Sequence, residues 1–317
     1  MMTKLLYTEG KGSFNEGTID IPDISSEQIR VKAKYTGVCR SDIDMMQGNF
    51  GPLPLTMQGH EGLGQVTEKG KNVYDVDIGD FVATRGEPAY ADFYNCDIGT
   101  YVKVPECDPK YIIEPVACGI NIINSSKMPI ERRGRKQGAN LLIMGSGFLA
   151  QVVYHYLLTL MLEKNIHFNI TVYGHSNKEL WGNKLTDTID GKYDVVIDLN
   201  NRNESFEKEI FNPEALLIMG AEKPNKVTTT FSTMLWNSMT LKFPSPRDSG
   251  FIECMRKAVE LVHSGKIDVS SFWTKGYDRN TEWKDAFNEG LNRPKGYTRG
   301  YITVTYTHLT LPTNREL

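Results

Sequence analysis

The sequence is poor in cysteine and lacks long apolar runs, and these shortages exclude several classes of protein. Only 5 of the 317 residues are cysteine, odd in number and widely spaced, which excludes a disulfide-stapled scaffold and favours reduced thiols in a cytoplasm. No apolar run approaches the roughly 18 residues that span a bilayer, and the first residues lack the apolar segment of a signal peptide. We therefore expect a cytoplasmic protein without a membrane partner.

An excess of charge of either sign is also missing. Lys and Arg number 36, Asp and Glu number 39, and the net charge is −3. A chain so close to neutral is not expected to bind nucleic acid or an anionic membrane through bulk charge. The hydrophobic fraction of 40% and the charged fraction of 24% are those of an ordinary globular protein. The length suggests about two domains.

Two kinds of pattern divide the chain. Over the first hundred residues, recurrent glycine and proline and the alternation at 28–33 predict turn-rich β structure rather than helix. From about residue 115, short apolar runs alternate with helical stretches, which predicts an α/β unit with a doubly wound parallel sheet. Strands are expected at 140–144, 169–173, 193–198, 215–220 and 301–304, and helices at about 148–163 and 250–263.

A glycine-rich turn follows the first strand of the α/β unit. Residues 145–150 read Gly-Ser-Gly-Phe-Leu-Ala, between a strand and a helix. The first glycine permits the tight turn, the second lets the backbone approach a pyrophosphate, and the alanine permits close helix–strand packing. The helix start offers free N–H groups to the phosphates. The pattern favours a dinucleotide site at Gly145, Gly147, Phe148 and Leu149 over a plain strand–helix turn.

The next strand ends without the carboxylate that commonly binds the ribose of NAD. Gly174 stands in that place, and a missing acid removes a repulsion against a 2′-phosphate. His175, Ser176 and Lys178 follow and could donate to such a phosphate. We therefore predict that NADP(H) is favoured over NAD(H). The alternative is that these residues form an ordinary polar surface turn.

Cys39, His60 and Glu114 are candidate metal ligands. A catalytic zinc takes three protein ligands from Cys, His, Asp or Glu and keeps one position open. Each of the three has a simpler explanation when taken alone. A single cysteine is commonly a small buried hydrophobic residue, a single histidine a core residue with satisfied hydrogen bonds, and a single glutamate a surface carboxylate.

The order and spacing of several motifs point to one family. The motifs lie at residues 37–42, 59–61, 76–82 and 145–150. In this order they resemble the zinc-dependent medium-chain dehydrogenase/reductase family, in its sorbitol and polyol dehydrogenase branch. The resemblance runs from about residue 20 to residue 304. It implies a GroES-like β-rich catalytic domain at 1–119 and 267–305, an inserted Rossmann domain at 120–266, and a tail of no assigned function at 306–317.

The resemblance implies one catalytic zinc per chain. Cys39 and His60 match the first two ligands, and Glu114 matches the third ligand of the polyol branch, with Cys118 as its rival. Many family members also carry four clustered cysteines that hold a structural zinc. Here the stretch after Val82 has a single cysteine, Cys96, and is shorter than in those members. A structural Cys₄ zinc is therefore not expected.

The resemblance also implies the chemistry. Ser41 matches the hydroxyl of a proton relay, Glu61 the acid that holds the metal-bound water or approaches the metal, and Asp42 a carboxylate that supports the zinc site. The expected reaction transfers a hydride between NADP(H) or NAD(H) and the hydroxyl or carbonyl of a small alcohol, polyol or sugar.

The family also suggests a homodimer or homotetramer, with 240–243 as a pairing strand. Two alternative functions stay open. The first is a zinc-free reductase of the quinone-oxidoreductase type with the same fold. The second is a nucleotide-binding protein that is not an enzyme.

Overall fold

The structure is a computed structural model and describes residues 1–50, 54, 58–207, 209–221 and 231–304. Residue 305, expected at the end of the catalytic domain, and the tail expected at 306–317 lie outside the described residues. The strands are β1 (Met2–Thr8), β2 (Phe14–Asp20), β3 (Gln28–Gly37), β4 (Gly62–Lys69), β5 (Phe81–Thr84), β6 (Phe93–Asp97), β7 (Tyr101–Val104), β8 (Asn140–Met144), β9 (Asn169–Tyr173), β10 (Leu185–Thr186), β11 (Tyr193–Asp198), β12 (Phe211–Met219), β13 (Thr240–Lys242), β14 (Lys275–Asp278) and β15 (Gly300–Thr303).

Nine α-helices occur within the described ranges, and one of them contradicts the prediction of a first hundred residues without helix. They are α1 (Arg40–Met46), α2 (Glu114–Asn124), α3 (Lys127–Gly134), α4 (Phe148–Lys164), α5 (Lys178–Trp181), α6 (Glu204–Glu207), α7 (Phe231–Trp236), α8 (Phe251–His263) and α9 (Trp283–Asn292). The unexpected helix is α1. It forms because the Asp42 side chain accepts a hydrogen bond from the Cys39 backbone N–H at 2.9 Å and so closes the first turn.

The predicted parallel sheet is confirmed. Its order is β10-β9-β8-β11-β12-β13, and every neighbouring pair is parallel. Helices cover this sheet, so side chains on both faces of the central strands are buried, as in a doubly wound fold. The strand expected at 215–220 is longer than predicted, because β12 already begins at Phe211. No helix in the described ranges is long and apolar enough to cross a membrane.

The second large sheet joins the two ends of the chain. It has the order β14-β15-β3-β4-β5-β7, with β6 also paired to β3. Strand β15 pairs antiparallel with β3 and parallel with β14, so the last strand completes a sheet built mainly from the first hundred residues. One apolar core connects this sheet with the parallel sheet, and it includes Leu63 and Val102 from the first and Leu141 and Ile197 from the second.

Candidate active site

The candidate metal ligands converge where β3, α1, α2 and the start of β4 meet. Cys39 lies between β3 and α1, His60 and Glu61 lie just before β4, and Glu114 is the first residue of α2. The Sγ of Cys39, a ring nitrogen of His60 and a carboxylate oxygen of Glu61 all lie within 4.8 Å of one another. Glu114 does not come within that distance of all of them. We call these three residues and Glu114 the ligand corner.

Glu61 and Glu114 are both buried in the ligand corner, but their partners differ. Glu61 is 0% exposed and Glu114 is 3% exposed. Both oxygens of Glu61 accept hydrogen bonds from the Arg299 guanidinium, with 3.2 Å from Nε to Oε2. The Oε1 of Glu114 lies 3.4 Å from the thiol of Cys118. The charge of Glu61 is therefore matched by a cation at hydrogen-bond distance, whereas the described residues give Glu114 only a weak donor.

Arg299 is one residue of the candidate site that sequence reasoning missed. It immediately precedes β15 and lies 238 positions from Glu61. Its guanidinium also lies 5.0 Å from the centre of the Phe148 ring and 5.8 Å from that of Trp273. A single arginine before a short strand gives no motif, so only the three-dimensional structure reveals its contact with Glu61. Gly37 makes room for the pair, since a Cβ there would fall 2.1 Å from Glu61 Oε2.

Asp42 lies behind the ligand corner and is 0% exposed. Its Oδ2 accepts hydrogen bonds from the Cys39 backbone and from the Tyr90 hydroxyl, at 2.9 and 2.7 Å. Its Oδ1 lies 3.8 Å from His60 Nδ1 and has no hydrogen-bond partner in the described part of the chain. Ser41, the expected proton relay, is half-buried in the first turn of α1.

Burial and neighbouring charges shift the titration of the ligand corner. Burial raises the pKa of Glu114 to about 7, although the nearby His60 lowers it. Burial lowers the pKa of His60, but a hydrogen bond with Cys39 and the charges of Asp42 and Glu114 outweigh it, and the pKa rises well above its ordinary value. Burial also raises the pKa of the Cys118 thiol.

The donor set of the ligand corner fits a zinc ion. A thiol, an imidazole and carboxylates are the ligands that catalytic zinc sites use. One carboxylate oxygen of Asp42 is buried without a hydrogen-bond partner among the described residues and faces the ligand histidine. Such a carboxylate–histidine pair orients metal-binding imidazoles in other proteins.

The predicted dinucleotide turn lies beside the ligand corner. Gly145 has φ +132°, and a Cβ there would fall 3.2 Å from Leu199, so this position needs glycine. Gly147 is the N-cap of α4, and Arg293 Nη2 lies 3.6 Å from where its Cβ would be. Phe148 is buried and Leu149 half-buried, and both pack in the core below the turn. A guanidinium and free helix N–H groups therefore border the backbone of the turn.

The residues predicted to bind the adenosine ribose are next to the turn. A Cβ at Gly174 would fall 2.5 Å from Ser146 Oγ. The hydroxyl of Ser176 lies 3.2 Å from that of Ser146. His175 contacts the Tyr173 hydroxyl on the other side, and Lys178 is the first residue of α5. The loop at 174–178 and the dinucleotide turn thus form one continuous edge of the sheet.

A carboxylate that sequence reasoning missed lies near this loop. Glu204, the first residue of α6, accepts a hydrogen bond at 2.8 Å from the Tyr173 hydroxyl, which also lies 3.2 Å from His175 Nε2. The other oxygen of Glu204 is buried and has no hydrogen-bond partner in the ranges described. No motif marks Glu204, because it follows a different strand from the one that carries the predicted loop.

Part of the sequence is similar to that of known proteins. Residues 25–155 match the alcohol dehydrogenase GroES-like domain family. The chain is 30% identical over 125 residues to the D-arabitol-phosphate dehydrogenase of Enterococcus avium, covering 39% of this chain and 33% of that protein. It is 33% identical over 100 residues to the sorbitol dehydrogenase of Halalkalibacterium halodurans, covering 31% and 29%. These alignments thus span about a third of the relatives' length.

The fold extends the similarity over nearly the whole chain. The crystal structure of galactitol-1-phosphate dehydrogenase from Escherichia coli superposes with a TM-score of 0.71, covering 95% of this chain and 100% of that chain. The sequence identity is 16%, so this similarity concerns the fold. The expected GroES-like part with a Rossmann-type parallel sheet is therefore confirmed.

Proposed function

Because the chain is a homologue of the medium-chain alcohol and polyol dehydrogenases and carries their GroES-like domain, we propose that it is a zinc-dependent oxidoreductase. It transfers a hydride between NADP(H) or NAD(H) and a hydroxyl or carbonyl group of an alcohol, polyol or sugar-derived substrate. The named relatives that act on polyols and polyol phosphates support this substrate class.

The proposed domains are 1–119 with 267–305, and 120–266. The five free cysteines support a cytoplasmic location.

One observation carries the proposal. A continuous set of contacts runs from the dinucleotide turn to the ligand corner. Phe148, the first residue of α4, contacts the Arg299 guanidinium, which pairs with Glu61, and Glu61 belongs to the cluster with Cys39 and His60. A cofactor seated on the turn and a metal held in the ligand corner would therefore be neighbours. Hydride transfer requires this, because the hydride passes between the cofactor and the carbon whose oxygen the metal would bind.

Cys39, His60 and Glu114 would hold the zinc, and a bound zinc acts as a Lewis acid on the substrate oxygen. Glu114 suits the third ligand better than Glu61, because Glu61 is already neutralised by Arg299. Glu114 is buried, its one close hydrogen-bond partner in the described part of the chain is a thiol, and its pKa is raised to about 7. A dication would offset this cost of burial.

The remaining groups of the site position the substrate and move the proton. Ser41, half-buried at the start of α1, would take the proton of the substrate hydroxyl and pass it towards solvent. Glu61, fixed by Arg299, would keep a negative charge close to the ligand corner without moving. Asp42 would hold His60 through the Nδ1 side of its ring, leaving Nε2 free to bind the metal.

Metal analysis of the purified protein tests the proposal. We expect about one zinc per chain, loss of the zinc in Cys39→Ser and Glu114→Ala, and retention in Cys107→Ser, a half-buried thiol that lies outside the cluster. Loss of zinc in Cys118→Ala and retention in Glu114→Ala would keep the mechanism but exchange the third ligand. A native protein without zinc would contradict the proposal and favour a zinc-free reductase. Zinc and cofactor binding without turnover of any alcohol, polyol or aldehyde would favour a binding protein.

We propose further that NADP(H) is the favoured cofactor. The support is the absence of a side chain at Gly174 and the hydroxyl of Ser176 beside the turn. The kcat/KM values for the two cofactors decide the matter, with a higher value expected for NADP(H). A preference for NAD(H) would contradict the proposal, and Glu204 would then be the candidate acid for the ribose hydroxyls.

A homodimer or homotetramer is proposed from an exposed apolar edge. Phe231, Leu235 and Trp236 of α7 are 72%, 75% and 84% exposed, beside the edge strand β13. Edge strands with apolar neighbours commonly pair with a second copy. Light scattering should give at least twice the monomer mass, and Trp236→Arg should lower it. Leu162→Lys, at an exposed leucine of α4, is the control. A monomeric native protein would contradict the proposal.

A further inference from the structure

Tyr90 lies directly behind the ligand corner and is 2% exposed. Its hydroxyl donates to Asp42 Oδ2 at 2.7 Å and lies 3.2 Å from the carbonyl oxygen of Gly37. Burial and the neighbouring Asp42 raise the pKa of this hydroxyl well above its ordinary value, so it stays a donor at any physiological pH. Tyr90 therefore makes one fixed hydrogen bond to Asp42.

The two oxygens of Asp42 have unequal surroundings. Oδ2 accepts two hydrogen bonds, from the Cys39 backbone at 2.9 Å and from Tyr90. Oδ1 accepts none from the described residues and lies 3.8 Å from His60 Nδ1. The carboxylate cannot turn without losing both bonds at Oδ2, and this direction keeps Oδ1 aimed at the histidine. A carboxylate hydrogen-bonded to one ring nitrogen of a histidine fixes the proton there and leaves the other nitrogen for a metal, and Oδ1 of Asp42 is placed on the Nδ1 side of His60 for this role.

The ring of Tyr90 fixes the backbone of the same histidine. A Cβ at Gly59 would fall 2.6 Å from the Tyr90 ring, and Gly59 has φ +77°, which an L side chain rarely adopts. The N–H of Ala89 donates to the Gly59 carbonyl at 2.8 Å. Tyr90 therefore contacts the residue before His60 with its ring and the carboxylate beside His60 with its hydroxyl.

We infer that Tyr90 is a positioning residue for the metal site: through Asp42 its hydroxyl sets the orientation of His60, and so sets the affinity for zinc. The inference rests on the proposed function, since it needs a metal in the ligand corner. Tyr90 itself does not touch the metal. Removing an outer partner of a ligand histidine lowers metal affinity about 10–100-fold in known sites.

Tyr90→Phe tests the inference with the loss of one oxygen. The ring remains, with its edge contacts to Phe14 and Phe287 at 5.8 and 5.5 Å between ring centres. The matched control is Tyr101→Phe, since Tyr101 is 1% exposed and donates to the Asp75 carboxylate at 2.9 Å, away from the ligand corner. The readouts are zinc affinity in competition with a chromophoric chelator and the visible absorption of the Co²⁺-substituted protein.

We expect Tyr90→Phe to bind zinc about tenfold more weakly and to shift the Co²⁺ bands, with Tyr101→Phe unchanged in both. Equal zinc affinity and an unchanged spectrum in Tyr90→Phe would overturn the inference, as would equal weakening in Tyr101→Phe. A wild-type protein that binds neither metal would instead overturn the proposed function, and the inference with it. If the wild-type protein binds zinc, and Tyr90→Phe shows the same zinc affinity and the same Co²⁺ spectrum, the inference alone is overturned and the proposed function stands.

A double variant separates action through Asp42 from a general loosening of the site. Asp42→Asn should weaken zinc binding on its own. If Tyr90 acts through Asp42, then Tyr90→Phe in the Asp42→Asn background should add little further weakening. Fully additive effects of the two substitutions would overturn the route through Asp42. The comparison stays informative when both single variants are less stable, because it depends on non-additivity.

Discussion

The ligand corner and the dinucleotide turn are neighbours but are built on opposite principles. At the ligand corner and directly behind it, side chains hold buried acids in place, as Arg299 holds Glu61 and Tyr90 holds Asp42. At 145–147 the backbone forms the proposed cofactor site, and glycine keeps side chains out of the way. The ligand corner depends on side chains that pair with buried acids. The dinucleotide turn depends on the absence of side chains. Substitutions should therefore act on different properties at the two places.

The largest expected effect is on stability, at the ligand corner. Arg299→Ala leaves the Glu61 carboxylate buried without its cation, which costs about 3–5 kcal/mol in the free energy of unfolding. Urea unfolding measures it. Arg132→Ala removes an exposed pair with Glu214 and should cost about 0–1 kcal/mol. Adding Glu61→Gln to Arg299→Ala should recover much of the loss. No recovery would contradict the account of matched partners.

The next effect concerns pH and the metal-free protein. Burial raises the pKa of Glu114 to about 7, above its ordinary 4.5, so the folded chain keeps a proton that the unfolded chain has lost. The contribution of neutral Glu114 to the free energy of unfolding is therefore fully present below about pH 4.5. It is lost as the pH rises through 7.

Glu114→Gln removes this dependence without removing the side chain. In chelator-treated protein, the free energy of unfolding of Glu114→Gln minus that of the wild type should therefore be about 1–3 kcal/mol larger at pH 8 than at pH 5. Thermal unfolding at the two pH values measures the difference. The control is Glu106→Gln, which makes the same exchange at an exposed glutamate outside the ligand corner. A Glu114→Gln difference independent of pH would refute the buried-carboxylate explanation.

At the dinucleotide turn the substitution should act on cofactor binding. Gly145→Ala places a Cβ 3.2 Å from Leu199 at φ +132°, a strain of about 1–3 kcal/mol that the turn relieves by moving. We expect cofactor affinity to fall about tenfold, measured by fluorescence titration. Gly138→Ala has a similar strain, at φ +72°, but lies outside the turn with open space around it. An equal loss of affinity in both variants would show that the turn is not the site.

The smallest expected effect concerns cofactor choice. If the Ser176 hydroxyl donates to a 2′-phosphate, Ser176→Ala loses about 1 kcal/mol, and the NADP-to-NAD ratio of kcat/KM falls about fivefold. Steady-state kinetics with both cofactors measures the ratio. Thr188→Ala, on an exposed loop nearby, should leave it unchanged. An unchanged ratio in Ser176→Ala would remove this residue from the cofactor site.

The sequence predicted the parallel sheet and the motif-bearing residues because both depend on local pattern. Buried strands such as β8 read as continuous apolar runs, and the glycine turn follows at a fixed spacing. The helix α1 was missed because one side chain, Asp42, closes its first turn within a glycine-rich stretch. Arg299 and Tyr90 were missed because their partners lie 238 and 48 positions away. No local pattern encodes which distant side chain neutralises a buried charge.

The place of β15 in its sheet has a consequence for the order in which the protein is made. Arg299 lies 238 positions after Glu61 and immediately before β15, which docks between β3 and β14. During synthesis Glu61 is therefore made well before the arginine that pairs with it. The ion pair can form only once Arg299 has been added and β15 can join its sheet.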